Sequence, residues 1–159
     1  MNTIDVEYDA ASYRDIADEE FVISWVNRVL EKVERDNVEL SISFVSDEEI
    51  KDLNKQYRNL DMPTDILSFV QGDSKDDDDF WPCESEEEEA QVLGDMVISP
   101  DAIKRNCENF NETLENELKR LLVHGVLHLI GMDHKTNEFK TEPMLILQEQ
   151  ILNDLREME

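Results

Sequence analysis

The chain holds 159 residues, the size of one ordinary domain, and its 40% hydrophobic content is enough to bury a core. No apolar run reaches the roughly 18–20 residues that span a bilayer, and the start "MNTIDVEYDA" has neither a basic nor an apolar leader region, so no membrane association or signal peptide is expected. Forty acidic residues against 15 basic ones give a formal net charge of −25, which by itself opposes a nucleic-acid partner, because phosphate binding rests on Lys and Arg displacing counterions.

"TIDVEY" (3–8) alternates apolar and polar residues and reads as a first strand. Phe21, Val22, Trp25, Val26, Val29, Leu30 and Val33 recur at helical spacing within 18–36, with Asp18 as N-cap. "VELSISFVS" (38–46) alternates again and predicts a second strand. Ser46, followed by Asp47, Glu48 and Glu49, forms a capping box that opens a helix through about Tyr57. After the break at Pro63, "TDILSFV" (64–70) reads as a third strand and "VLGDMVIS" (92–99) as a fourth, and Pro100 suits the first turn of the helix that follows. Between these two strands, about residues 71–91, lies a segment with ten acids and one lysine, expected to be a solvated, mobile loop in which Phe80 and Trp81 either pin it to the body or bind a partner. The longest helical pattern is 112–131, with Thr113 as cap and Gly131 as its left-handed stop; 142–158 closes the chain as an amphipathic helix. Strands mixed with helices, without a clean βαβ repeat, predict one α+β domain on a small mixed sheet. Cys83 and Cys107 sit in unrelated contexts and read as free thiols of a reducing cytoplasm, which is the expected location.

The chemistry concentrates in "HGVLHLIGMDH" (124–134), which holds the chain's only three histidines. Positions i and i+4 on a helix differ by about 40° in azimuth, so His124 and His128 share one face. Gly131 then lets the chain turn back, and His134 can approach the same ion from the side. Three imidazoles suit zinc and leave a fourth position for water or substrate. A closed structural site would need one more ligand, and Cys107 could supply it only by an unexpected chain path. Nickel or copper would also accept these ligands. The same spacing occurs in H-E-x-x-H-x-x-G-x-x-H peptidases, whose glutamate activates the water; here that position is Gly125, which disfavours a protease. Asp133 is the nearest carboxylate, suited to orienting a ligand histidine.

These residues resemble a known family. "HGVLHLIGMDH" matches the H-G-x-L-H-L-x-G-x-D-H signature of the YbeY endoribonucleases, and "LNKQYR" (53–58), "PTDILSF" (63–69) and "LGDMVIS" (93–99) resemble the family in order and spacing, over roughly residues 38–155. The resemblance implies a single zincin-like α+β domain over residues 1–159, with a mixed, mostly parallel four-stranded sheet and the metal helix near the C-terminus. It implies one zinc per chain on His124, His128 and His134. It also implies cleavage of single-stranded rRNA in small-subunit maturation and quality control, with ribosomal proteins or an assembly GTPase as further partners. The acidic insertion at 73–89 departs from the family's shorter connection.

The resemblance also singles out Arg58 as the second catalytic element. A guanidinium fork can bind two nonbridging phosphate oxygens and stabilise the charge that develops on them. Gly125 would then be tolerable, and its small size would leave room for a nucleotide. Ser68, Thr64 and Asp65 sit on a strand that could border the cleft, with Ser68 in a positioning role, or they serve structure, with Thr64 or Asp65 bonding backbone near Pro63; Asp95 either bonds its neighbours or lines the cleft. Met144 reads as core. Lys51, Lys55, Arg58, Lys104, Arg105, Lys119 and Arg120, together with the metal's +2 charge, could make a positive cleft in an acidic body, which predicts modest, steeply salt-dependent RNA binding. Two other readings remain: a different metallohydrolase acting on peptides or small esters, and a non-catalytic ribosome-assembly factor with a structural metal.

Overall fold

The computed structural model describes residues 2–70, 91–132 and 142–157. The predicted acidic loop with Phe80, Trp81 and Cys83, and the residues Asp133 and His134, lie outside the described residues. Four strands form one sheet: β1 (Thr3–Tyr8), β2 (Val38–Phe44), β3 (Ile66–Val70) and β4 (Gln91–Ile98), in the order β1-β2-β4-β3. β1, β2 and β4 run parallel, and β3 pairs antiparallel with β4 at the edge. The helices are α1 (Glu19–Lys32), α2 (Asp47–Arg58), α3 (Pro100–Phe110), α4 (Leu114–Leu129) and α5 (Pro143–Glu157). No described helix is long and apolar enough to cross a membrane.

The sequence pattern explains each element. Along β2, Val38, Leu40, Ile42 and Phe44 are buried while Glu39, Ser41 and Ser43 between them are half-buried, the period-2 signature of a strand with one covered face. Each of the first four helices begins with a side chain that accepts an orphan backbone N–H: Asp18 from Phe21, Ser46 from Glu49, Ser99 from Ala102 and Thr113 from Asn116. Such caps are worth about 1 kcal/mol each. Helix α1 stops at Lys32, short of the predicted end at 36, because Glu34 adopts a left-handed φ of 60°. The third strand begins at Ile66, two residues later than expected. Asp65 turns its carbonyl to the Ser99 N–H (3.1 Å) and its carboxylate to Asn106 (3.2 Å), so it belongs to a loop tied to α3.

Helix α4 sits at the centre. Ten of its 16 residues are buried, because it touches β3 and β4 on one side and α1, α3 and α5 on the others. Trp25 of α1 donates its indole N–H to the Lys119 carbonyl (3.3 Å), anchoring α1 to the first turns of α4. On the opposite face of the sheet, Ile50 of α2 meets Val45, Leu67 and Val97 in a second, smaller cluster. The histidine helix is thus held by the core while α2 delivers its C-terminal residues from the other side of the sheet.

Candidate active site

Helix α4 ends in a Schellman turn. The Met132 N–H bonds the Leu127 carbonyl and the Gly131 N–H bonds the His128 carbonyl, both at 3.0 Å, with Gly131 at φ 103°. A side chain would strain that conformation, so glycine is the residue that lets the chain leave the helix directly after His128.

On the last turns, His124 and His128 bring their Nε2 atoms to 3.1 Å of each other. Each ring turns its Nδ1 to an oxygen: His124 to Gln148 Oε1 at 2.7 Å, His128 to the Met132 carbonyl at 3.2 Å. A carbonyl oxygen only accepts, so these bonds place the proton of each neutral ring on Nδ1 and leave both Nε2 lone pairs converging on one point. Two such lone pairs repel unless a cation lies between them. Two nitrogens bound at 2.0–2.1 Å in a tetrahedral set stand about 3.3 Å apart. The pair therefore fits a divalent metal, for which Gln148 and Met132 would be the outer acceptors that fix the ring tautomers. Among the described residues, no group of three or more His, Cys, Asp or Glu is placed to hold a metal, since the predicted third ligand, His134, lies outside them. Cys107 on α3 carries a free thiol packed beside the core.

The pair opens into a cavity of about 800 Å³ whose lining includes His124, His128, Arg58, Tyr57, Ser68 and Asp65. Helix α2 brings Arg58 there as its last residue, followed by Asn59 in a left-handed conformation that ends the helix. Thr64 and the β3 residues from Ile66 to Phe69 complete the wall. Sequence-predicted Arg58, Ser68, Thr64 and Asp65 are thus gathered around the histidines. Asp95 is not: it is exposed on the sheet and accepts the Ser41 hydroxyl at 2.6 Å. Met144 is fully buried in the core, as expected.

The family model described as endoribonuclease YbeY matches residues 5–156 of this chain. The chain belongs to the YbeY family. The endoribonuclease YbeY of Treponema denticola is 44% identical over 138 residues, covering 87% of this chain and 84% of its own. That of Aquifex aeolicus is 37% identical over 131 residues, covering 82% of this chain and 79% of its own. The solution structure of TM1509 from Thermotoga maritima superposes with a TM-score of 0.60 at 25% identity, over 98% of this chain and 93% of that one.

Within this family site, two expectations need correction. Gly125 does not make room for a nucleotide. It is buried, and a Cβ built there would collide with Met96 Sδ and lie 3.0 Å from Ile66 Cδ1. The glycine lets α4 press against β3 and β4, so a carboxylate at this position would point onto the sheet's packed face. Gly125→Ala is expected to lower stability: overpacking costs roughly 1–3 kcal/mol, and alanine's helix propensity returns at most about 1 kcal/mol. Urea unfolding measures the difference, and a more stable variant would mean that Met96 yields freely.

The predicted positive cleft also contracts. Of the seven cations, Arg58 alone lines the cavity. Lys119 pairs with Glu115 at 3.1 Å, and Arg105 and Arg120 are bonded to Asp47 and Glu117. Burial works against the charge on Arg120, but the bonds and charge of Glu117 outweigh it and hold its pKa above the ordinary value. Arg120 and Asn106 both bond Glu117, and both approach Asp65, so these four residues strap the cavity wall to α3 and α4. Gln148, too, was missed in the sequence. Its signal was available: a polar residue inside the apolar stripe of Met144, Leu145, Ile151, Leu152 and Leu155.

Proposed function

We propose that this chain is a metal-dependent endoribonuclease that cleaves single-stranded regions of rRNA during small-subunit maturation. The observation that carries the reading is the convergence of two imidazole Nε2 atoms at 3.1 Å in a cavity that also holds Arg58. Family membership supplies the reaction class. His124, His128 and His134 would hold one divalent ion, zinc in preference to nickel, which would supply Lewis acidity for phosphodiester cleavage. Arg58 takes two nonbridging oxygens of the scissile phosphate and stabilises the charge they gain. Asp133 would orient a ligand histidine, and Ser68, on the cavity wall, would position the RNA strand.

A peptidase lacks support, because the position of its general base is Gly125, packed against Met96 and Ile66. Purified, metal-loaded protein assayed on single-stranded RNA, casein and a simple phosphodiester tests the assignment. RNA cleavage that falls at least about a hundredfold in both His128→Ala and Arg58→Ala is expected. RNA cleavage that survives both substitutions would sink it.

Gln148 gives a sharper test of the metal. It is fully buried, its Oε1 serves His124, and among the described residues its Nε2 has no hydrogen-bond partner. Leucine at 148 keeps the volume, removes the acceptor and also removes the unsatisfied donor, whose burial costs about 1–3 kcal/mol. Gln148→Leu is therefore expected to hold or gain stability without metal while losing about 10–100-fold in zinc affinity. Chelator competition and chemical unfolding read the two effects separately. Equal zinc affinity in both proteins would remove Gln148 from the site.

A further inference from the structure

An acidic chain that cleaves RNA must hold it by something other than net charge. With formal charge −25, and Arg58 the one cationic side chain among the described residues lining the cavity, side chains offer little electrostatic attraction to a phosphate backbone beyond the proposed metal. The same cavity carries two aromatic rings. Tyr57 immediately precedes Arg58 and is 61% exposed. Its ring stands edge-on to Phe69 at 5.2 Å between centroids, with 70° between planes, which fixes its orientation. An exposed tyrosine braced in this way presents area at little cost in conformational freedom, since only two side-chain torsions need ordering.

The wall beside it is unusual too. Ile66, Leu67, Ser68 and Phe69 are consecutive in β3, and all four line the cavity. Alternate residues of a strand point to opposite faces, so a surface touching all four runs along the strand's edge. Among the described residues β3 is the outermost strand, paired with β4 on one side only. Its outer edge offers backbone donors and acceptors next to the rings.

We infer that Tyr57, supported by Phe69, is a stacking platform for one unpaired nucleobase next to the scissile phosphate held by Arg58. The inference rests on the endoribonuclease reading and deepens it by giving a reason for single-strand selectivity. A base inside a duplex is stacked between its neighbours and presents no face to Tyr57; an unpaired base can be turned onto the ring. Arg58 and Tyr57, adjacent on the last turn of α2, then grip phosphate and base of neighbouring units.

Single-stranded oligoribonucleotides with 2-aminopurine at successive positions test this with metal-loaded protein, read on mixing before turnover. At one position near the cleavage point the fluorescence is expected to be quenched by stacking, and Tyr57→Ala abolishes the quench while Tyr57→Phe retains it. Tyr57→Ala raises KM about 5- to 150-fold, the span of one base–aromatic stack, with a smaller change in kcat and unaltered zinc content. An abasic substitution at the quenched position costs wild type the same factor, and combining it with Tyr57→Ala costs no more. Additive losses, or a Tyr57→Ala protein with wild-type KM and quench, would overturn the platform and leave the nuclease reading intact. A wild-type protein that neither bound nor cut RNA would overturn both.

Discussion

His128→Ala protein is expected to lose the thermal stabilisation that zinc gives the wild type, and to lose RNA cleavage by three orders of magnitude or more. The stability effect follows from mass action. Zinc at about 100 times its Kd stabilises the folded state by about 2.7 kcal/mol, and at about 2–4 °C per kcal/mol for a domain of this size the midpoint rises roughly 5–10 °C. With His128 gone, the converging Nε2 pair is broken and the proposed three-imidazole set loses one of its ligands, while His124 retains its bond to Gln148. The metal-free variant folds, because alanine is the best helix former and His128 is only half-buried at the end of α4. The activity loss follows from the several kcal/mol that a bound ion contributes to a transition state gathering negative charge, on the order of a thousandfold or more. Differential scanning with and without zinc, beside single-stranded RNA cleavage, reads both. An equal zinc-dependent rise in the variant would mean that the ion sits elsewhere.

The parts of this site written in short-range patterns were legible in the sequence. H-x3-H on an apolar helix face puts two imidazoles together because one helical turn separates them. Gly131, the capping residues Asp18, Ser46 and Thr113, and Pro100 in a first turn announce where helices begin and end, since each suits the local backbone. Contacts across the fold carry no such mark. Gln148 meets His124 across 24 residues, and its role depends on α5 crossing α4 at that turn. Gly125 looked like a gap in a catalytic motif, whereas its meaning is set by Met96 and Ile66 on strands far away in the chain. Arg105, Lys119 and Arg120 looked like a basic face until folding supplied each with a carboxylate. Sequence counts charges; only the fold shows which are already answered.

That contraction of the positive cleft makes Arg58 the sharpest probe of the chemistry. Arg58→Ala is expected to lower kcat by about 10²- to 10³-fold, the loss typical of one preorganised donor at a developing oxyanion. The zinc-dependent rise in melting temperature stays at its wild-type value. Arg58 is exposed at the end of α2, so the substitution should change stability by no more than about 0.5 kcal/mol, and a lost fold cannot account for lost rate. Arg58→Lys separates charge from geometry: it keeps one positive charge near the cavity but gives up the two-pronged fork, so it recovers little of kcat. Salt supplies the independent reading. One cation on a single strand contributes a slope of about −0.7 in log affinity against log salt, a shallow dependence in place of the steep one that seven basic residues suggested. Arg58→Ala should flatten that slope by about the same amount. A steep slope that survives the substitution would require phosphate contacts from cations outside the cavity, and the assignment of Arg58 as its phosphate clamp would fail.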